Sequence, residues 1–407
     1  MSGVALPPGV TTLRDPATIR QRCANVTAAV DAGRSPHFTL DRSRLAAVTA
    51  RVATLTRQRF GDGPIPLHSR WRHFEAGGVD RKAELDAALV GRDTAEQARA
   101  RIDLALVSVL LDAGAGAAWS YVEAGGARFA RSEGLAVASF RAFMAGVFSS
   151  DPREPWRVDA DALAALDAAA LTARFQVRDG NPLVGLEGRV ALLHRLAAAL
   201  RARPDVFGGD ARPGRLFDAL AAGGHVHAGD VLRTLLDTLS GIWPSGQVFA
   251  GTPVGDAWPH PAAAGDGPSA GWVPFHKLSQ WLAYSLLEPL QWAGVTVEGL
   301  DALTALPEYR NGGLLIDAGV VLPRNAAFAA RRYTPADAWV VEWRALTVTL
   351  LDELAPLVRE RLGRSAAQMP LACVLEGGTW AAGRQIAAER RPGGAPPVTI
   401  DSDGTVF

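Results

Sequence analysis

Lysine is almost missing from this sequence of 407 residues, because its 42 basic residues include only two lysines, Lys82 and Lys277. Arginine presents a planar fork of donors, whereas lysine presents a compact ammonium group that arginine cannot reproduce. A lysine that remains in such an arginine-rich chain is therefore a candidate for a specific role.

Cysteine is scarce as well, and the two that occur, Cys23 and Cys373, lie far apart and form no metal-ligand spacing. Neither a disulfide framework nor a structural metal site is therefore indicated. The histidines of GGHVHAGD, His225 and His227, precede a helix in a glycine-rich turn and do not predict a catalytic metal. Phosphate-binding loops, nucleophile elbows and dinucleotide-binding turns are also missing. We therefore expect neither a metal nor a cofactor.

The chain has no excess of charge, since 42 basic residues balance 42 acidic ones. Without a net positive field, nucleic acid and anionic membranes are poor partners. No uninterrupted apolar run is long enough to span a membrane, and the N-terminus has no signal-peptide pattern. These features favour a cytoplasmic protein with a small-molecule partner; the oligomeric state cannot be predicted from them.

Apolar residues recur at helical spacing through most of the chain. The clearest predicted helices cover residues 41–60, 95–114, 160–175, 186–204, 228–243 and 336–363. Only GLLIDAGVVL (313–322) and PLACVLEGGTW (370–380) resemble strands. Glycine- and proline-rich turns separate the helices, but none is long enough for a flexible linker. We predict a mainly α fold, a single large helical body over residues 1–407 with minor short strands, in which residues 1–150 could form an N-terminal helical subregion.

Polar and aromatic residues concentrate first in VLLDAGAGAAWSYVEAGG (109–126). Asp112 ends an apolar helix, where the helix dipole disfavours a negative charge, so it needs a cationic partner, a donor or a raised pKa. Trp119 and Tyr121 could form a stacking wall for a ligand. Alternatively, Asp112 caps the next helix and the aromatic residues belong to the core.

A second concentration lies in GWVPFHKLSQWLAYSLLEP (271–289). Lys277, Trp281, Tyr284 and Glu288 share one face of the predicted helix, which would suit a polar ligand with a ring. The same spacing fits a half-exposed stripe in which the lysine merely reaches solvent.

A third candidate is Glu342, which lies in the apolar stripe of VVEWRALTVTLLDELAPL (340–357). A buried carboxylate there requires a partner. Either Arg344 or Arg310 neutralises it, or the site uses its perturbed pKa.

The segment LPEYRNGGLLID (306–317) is the most concentrated polar run. It places Glu308, Tyr309, Arg310 and Asn311 in consecutive positions and ends at Asp317. The run is either a solvated turn or the holder of a polar ligand.

Long motifs of this sequence resemble the uncharacterised protein family of the non-reductive uracil catabolism pathway of fungi and bacteria. The resemblance spans nearly the whole chain and is carried by SRWRHFEAGGVDR (69–81), RSEGLAVASFRAFMAGVFSSDP (131–152), FQVRDGNPLVGLEGR (175–189), GWVPFHKLSQWLAYSLLEPLQWAGV (271–295), LPEYRNGGLLIDAGV (306–320), VVEWRALTVTLLDELAPLV (340–358) and LEGGTWAAGRQIA (375–387), together with the SDGTVF ending (402–407). It implies a step after the ring opening of a uracil nucleoside or nucleotide, in which an N-ribosylurea is cleaved to urea and a sugar.

A more distant resemblance sharpens this expectation. LTALPEYRNGG (303–313), followed by VVEWRALTV (340–348), is similar to the pattern of queuosine salvage proteins, which are helical nucleoside N-glycosidases akin to DNA glycosylases. The resemblance implies a fold like that of DNA glycosylases. Glu308 stands where that family typically has Asp, and the residues after Arg310 differ, so its base specificity does not carry over.

Cleavage of an N-glycoside places positive charge on the anomeric carbon and requires a nearby carboxylate and a second acid or base. We expect Glu308 and Glu342 to form this pair, with Asp112 and Asp317 as further carboxylates. Arg310, Arg344 and Lys277 would hold a 5′-phosphate. The expected substrate-binding residues also include Trp119, Tyr121, Trp281, Tyr284, Tyr309 and Asn311. A metal-dependent amidohydrolase acting on the urea moiety, or a non-catalytic ligand-binding protein, are the alternatives.

Overall fold

A computed structural model describes residues 6–112 and 114–401. Ala113, in the small-residue segment after Asp112, and the SDGTVF ending (402–407) lie outside these ranges. The mainly α fold is confirmed. The helices are α1 Pro8–Leu13, α2 Pro16–Asp31, α3 Leu45–Phe60, α4 Trp71–Phe74, α5 Arg81–Ala88, α6 Thr94–Leu110, α7 Arg131–Met144, α8 Ala160–Ala165, α9 Ala168–Arg174, α10 Leu186–Ala202, α11 Pro204–Phe207, α12 Leu216–Ala221, α13 Ala228–Leu239, α14 Lys277–Trp292, α15 Tyr309–Asp317, α16 Ala338–Leu362, α17 Leu371–Val374 and α18 Trp380–Arg390.

The strands are short and join in pairs. They are β1 Phe38–Leu40, β2 Ser120–Val122, β3 Arg128–Ala130, β4 His225–His227, β5 Gln247–Phe249, β6 Thr252–Gly255, β7 Ala257–Pro259, β8 Trp272–Pro274, β9 Thr296–Glu298, β10 Val321–Pro323, β11 Arg332–Tyr333 and β12 Thr399–Ile400. β4 pairs with β9 and β11 with β12 in parallel. The antiparallel pairs are β1–β10, β2–β3, β5–β6 and β7–β8.

One hydrophobic cluster extends from Ile19 to Val398 and includes the buried free thiols of Cys23 and Cys373. Within it α16 packs on α2 and α3, α14 packs on α6, and α15 packs on α18. A smaller apolar cluster joins α1 to β6 and β7. Within the described ranges no helix is both long enough and apolar enough to cross a membrane.

The two strand predictions are largely wrong. Residues 309–317 form α15, and only Val321–Pro323 of the first segment is a strand. The second segment is helical, with α17 and α18 joined through a π-helical turn, Leu375–Thr379. A short apolar run cannot be assigned to strand or helix by periodicity alone. Here the side chain of Glu308 caps α15 and thereby favours the helix.

Candidate functional site

Glu308 is the N-cap residue of α15, and its carboxylate is held by the backbone. Its two oxygens accept hydrogen bonds from the N–H groups of Arg310 at 2.7 Å and Asn311 at 2.6 Å. Burial raises the pKa of Glu308, although these hydrogen bonds and the charge of Lys277 act in the opposite direction. The sequence prediction of a polar site at this segment therefore corresponds to a fixed, buried carboxylate.

Lys277, the first residue of α14, lies within electrostatic range of Glu308. Burial lowers the pKa of its ammonium group, and the charges of Glu308 and Asp112 oppose this shift. Tyr309 is 38% exposed as a whole residue. Burial of its hydroxyl group raises the pKa of that group, and the charges of Glu308 and Asp112 raise the pKa further. The structure thus brings four predicted residues into one neighbourhood: Glu308, Tyr309, Lys277 and Asp112.

Asp112 has a cationic partner, as its position at a helix C-terminus requires. Its Oδ2 lies 2.9 Å from Nη1 of Arg70, and both side chains are buried. The Arg70 guanidinium lies 5.6 Å from the ring centre of Trp281, and the His73 ring contacts the same indole edge-on at 5.7 Å. Arg70 and His73 were not among the predicted site residues. They come from the start and the body of the short helix α4 and reach the site only in the folded chain.

Four polar atoms of this cluster are buried without a hydrogen-bond partner among the described residues: Arg70 Nη2, His73 Nδ1, Asp112 Oδ1 and Trp281 Nε1. Such atoms cost roughly 1–3 kcal/mol each when they remain unpaired. Their concentration in side chains that touch one another calls for a partner that the described residues do not supply, such as a polar ligand or ordered water. We refer to Arg70, His73, Asp112 and Trp281 as the α4–α14 polar cluster.

A histidine–carboxylate pair lies next to this region. Nδ1 of His68 is 2.8 Å from Oε2 of Glu376, which lies in the π-helical turn and also binds Arg59. Burial raises the pKa of Glu376, but the bonds from His68 and Arg59 outweigh it and lower the pKa overall. When its ring is protonated, His68 also acts electrostatically on Glu308. π-Helical turns are frequent at functional sites, but LEGGT by itself carries no clear signal of one.

Glu342 does not share these contacts. Ser35 donates a hydrogen bond to Oε1 of Glu342, and Nε2 of His260 lies 3.5 Å from its Oε2. The prediction that Arg344 or Arg310 neutralises Glu342 is therefore wrong. Residues two positions apart on a helix point in nearly opposite directions, so Glu342 and Arg344 of α16 face different neighbours.

The three remaining charged candidates have partners within the protein. Arg344 forms a two-pronged ion pair with Asp256, with both N···O distances at 2.7 Å. Arg310 donates to the carbonyl oxygen of Gly394 at 2.8 Å, and Asp317 pairs with Arg391.

Several predicted wall residues belong to the core. Trp119 donates its indole N–H to the Phe175 carbonyl at 2.9 Å, and the Tyr284 hydroxyl donates to the Thr304 carbonyl at 3.0 Å. Tyr121 lies in the β2–β3 hairpin, close to the charges of Glu123 and Arg141.

Two further predicted residues have local contacts. Asn311 donates to the Leu306 carbonyl at 3.2 Å, and its Oδ1 is buried without a hydrogen-bond partner in the described part of the chain. Glu288, on the same helix as Lys277, pairs with Ser69 and Arg72.

The histidine pair His225 and His227 has local roles. His225 is exposed on β4, and His227 accepts a hydrogen bond from the Gly229 N–H at the start of α13. Residues 6–112 and 114–401 contain no group of three or more His, Cys, Asp or Glu side chains arranged to hold a metal ion.

Two surface clefts occur in the described part of the chain. One, of about 400 Å³, is lined by residues 244–247 and 334–336, and the other, of about 310 Å³, lies beside Trp71 and Asp80. Neither is lined by Glu308, Lys277 or Asp112. We place the candidate site at the buried cluster, because the reactive and unpaired polar groups are there.

Comparison with known proteins gives the family. The family described as Protein of unknown function (DUF1688) matches residues 12–407. The protein named Uracil catabolism protein 4 from Lachancea kluyveri is 39% identical over 411 residues, which cover 92% of this chain and 93% of that protein. Protein urg3 from Schizosaccharomyces pombe is 41% identical over 397 residues, with 96% of each chain covered. The chain therefore belongs to the DUF1688 family, and one of these two relatives is named for uracil catabolism.

Proposed function

We propose that this protein acts in uracil catabolism and hydrolyses the N-ribosidic bond of ribosylurea or of its 5′-phosphate, releasing urea and a sugar. The name of the Lachancea relative supports the pathway. The observation that carries the reaction is the buried carboxylate of Glu308, fixed by two backbone N–H groups beside Lys277 and next to the α4–α14 polar cluster.

Glu308 would stabilise the positive charge that develops on the anomeric carbon. A carboxylate already held in place needs no reorganisation as the charge forms. It must be ionised to do so, and burial alone disfavours the ionised form. The charge of Lys277 opposes that effect, which gives one of the two lysines of the chain a physical role.

His68 is our candidate for activating water. An ionised Glu376 can only accept, so it fixes the proton of a neutral His68 on Nδ1 and leaves Nε2 as the base. Water would then add its oxygen to the anomeric carbon and give a proton to Nε2. The C–N bond breaks, its electron pair stays on the urea nitrogen, and the proton passes from His68 to that nitrogen.

The contacts favour the unphosphorylated substrate. Of the three side chains expected to hold a 5′-phosphate, Arg344 is neutralised by Asp256, and Lys277 lies within range of the Glu308 carboxylate. Arg310, which donates to the Gly394 carbonyl, is by itself a weak basis for a phosphate site. We therefore propose ribosylurea as the better substrate of the two.

Proton NMR of the purified protein with ribosylurea, and separately with its 5′-phosphate, tests the proposal. Wild type should release free sugar and urea. Glu308→Gln and His68→Gln should each slow release by at least about 100-fold, the usual contribution of an acid–base or electrostatic group. Glu389→Gln, which alters an exposed carboxylate paired with Arg51, is the matched control and should retain the wild-type rate.

Three results would contradict the proposal. Binding of either ligand without release would favour the ligand-binding alternative. Release of ammonia instead of sugar would favour an amidohydrolase. An unchanged rate in folded Glu308→Gln would remove Glu308 from the reaction.

A further inference from the structure

We propose that the α4–α14 polar cluster is a binding site for a planar, uncharged ureido group. The inference rests on the proposed function and identifies which part of the substrate this half of the site would hold. It assigns a binding role to Arg70 and His73, which come from a different segment than Glu308.

The cluster is built as a site and not as a surface patch. The Arg70 side chain is fully buried, and its Nε and Nη1 are fixed by Ser108 at 2.7 Å and by Asp112 at 2.9 Å. These contacts leave Nη2 as the buried donor without a partner in the described chain. Trp281 is 7% exposed and lies against both the Arg70 guanidinium and the His73 ring. The unpaired atoms therefore belong to side chains whose positions are fixed by hydrogen bonds and packing.

The donors and acceptors match a ureido group. Arg70 Nη2 and Trp281 Nε1 can only donate, and one carbonyl oxygen has two lone pairs to accept both bonds. Asp112 Oδ1 can only accept when ionised, and a ureido nitrogen supplies the N–H. Three of the four unpaired atoms would thus be satisfied by one N–H and one C=O of the same planar group.

The fourth atom, His73 Nδ1, belongs to a neutral ring. Burial, followed by the charge of Arg70, lowers the pKa of His73 to about 4. A neutral imidazole nitrogen without a hydrogen accepts a bond, so His73 can take a second ureido N–H. Arg70 and Asp112 cancel each other's charge, so the cluster as a whole favours an uncharged ligand over a phosphate or a carboxylate.

The position of the cluster fits the reaction. The charge of Asp112 acts on Lys277 and on Tyr309, and these two residues adjoin Glu308. A ureido group held by Asp112 and Arg70 would direct its substituted nitrogen, and the sugar attached to it, towards Glu308. The leaving group and the developing cation would then contact different carboxylates.

Equilibrium binding separates this inference from the reaction. We would titrate ribosylurea into Glu308→Gln protein by calorimetry, so that turnover does not consume the ligand. In this background Trp281→Phe, which keeps a ring but removes the N–H, should weaken binding about ten-fold, because it leaves a ligand acceptor unpaired. Asp112→Asn should also weaken binding, since a charge-assisted bond becomes a neutral one.

The matched control is Trp272→Phe. Trp272 packs against Phe249 beside the smaller apolar cluster, so the same chemical change there should leave the affinity unchanged. Uridine is titrated in parallel. Its base is a closed ring without the terminal NH₂ group of ribosylurea, so uridine should bind more weakly. Thermal unfolding of each variant confirms that it is folded.

The outcomes are distinct. In one outcome, wild type turns over ribosylurea while Trp281→Phe and Asp112→Asn leave the affinity unchanged. That result would overturn this inference but not the proposed function, and water would then be the partner of the four atoms. Binding that depends on Trp281 and Asp112, without turnover, would support the inference and contradict the hydrolase. Uridine binding as tightly as ribosylurea through the same residues would overturn the assignment to an open ureido group.

Discussion

Glu308 and Glu342 are both buried carboxylates, and at the scale of single residues their neighbours separate them. Glu342 contacts Ser35 and His260, which gives it a donor and a titratable ring. Glu308 receives two backbone N–H groups and the charge of Lys277. Burial disfavours the ionised form of both carboxylates. Among the described residues, Glu308 adjoins polar atoms that lack a hydrogen-bond partner, such as Oδ1 of Asn311.

The titration of His73 gives a prediction at the same scale. Its pKa lies near 4 in the folded protein, against an ordinary value of 6.5, so folding favours the neutral ring. A lowered histidine pKa contributes stability that is present above pH 6.5 and is lost as the pH falls towards 4. Relative to His73→Gln, wild type should lose about 2 kcal/mol of unfolding free energy between pH 8 and pH 5.

Guanidinium chloride denaturation at several pH values measures this difference. His225→Gln, at an exposed histidine on β4, is the control and should show the wild-type pH dependence. Parallel curves for wild type and His73→Gln would show that His73 is not buried as a neutral ring.

At the scale of elements, the contact between α15 and α18 determines where Glu308 points. Gly383 of α18 lies against the backbone of Arg310, and a Cβ atom at this glycine would be only 2.2 Å from the Arg310 carbonyl oxygen. On its other side, α15 packs Gly312 against Trp343 of α16. Glycine is therefore required at these positions because neighbouring helices approach closely, which sequence periodicity does not reveal.

Gly383→Ala should displace α15. Relieving the overlap requires a backbone shift, and we expect a loss of about 1–3 kcal/mol in unfolding free energy together with lower activity, because Glu308 caps the displaced helix. Denaturant unfolding and the NMR assay measure the two effects.

Gly188→Ala provides the comparison. Gly188 lies on the exposed side of α10, and apart from its chain neighbours and its own helix backbone no atom of the described chain lies within 4 Å of the position that an added methyl group would occupy. Alanine there should stabilise the protein by about 0.5–1 kcal/mol. Equal effects of the two substitutions would contradict the close-packing argument.

At the scale of the whole molecule, Asp256 joins segments distant in sequence. It pairs with Arg344 of α16, accepts the backbone N–H of Lys277 at 3.0 Å and accepts the indole N–H of Trp258 at 2.7 Å. Burial would raise the pKa of Asp256, but Arg344 outweighs it and holds the pKa below its ordinary value. This network fixes the start of α14, and with it Lys277, relative to α16.

Asp256→Asn should destabilise the protein by about 3–5 kcal/mol, because it leaves the buried Arg344 without its counter-charge. Denaturant unfolding measures the loss. Asp161→Asn is the control, since its pair with Arg201 is largely exposed and should contribute nothing measurable. A small effect of Asp256→Asn would show that Arg344 finds other partners at little cost.

The helices were predictable because helical periodicity is a local property. Predicted helices at 41–60, 186–204 and 336–363 correspond to α3, α10 and α16 within a few residues. Residues 160–175 form two helices, because the side chain of Asp167 starts α9 by capping it. Glu308 and Tyr309 could also be predicted from the sequence, because both lie in the single motif at 306–317.

What the sequence alone determined is a mainly α protein with a polar motif at 306–317 and a notable lysine at 277. Only the tertiary structure decided which polar residues share a site. It separated Glu342 from Glu308, placed Tyr284 in the core, and brought Arg70 and His73 to Asp112 and Trp281. The physical reason is that partners distant in the chain satisfy a buried polar group, and local spacing carries no information about which distant segment will supply them.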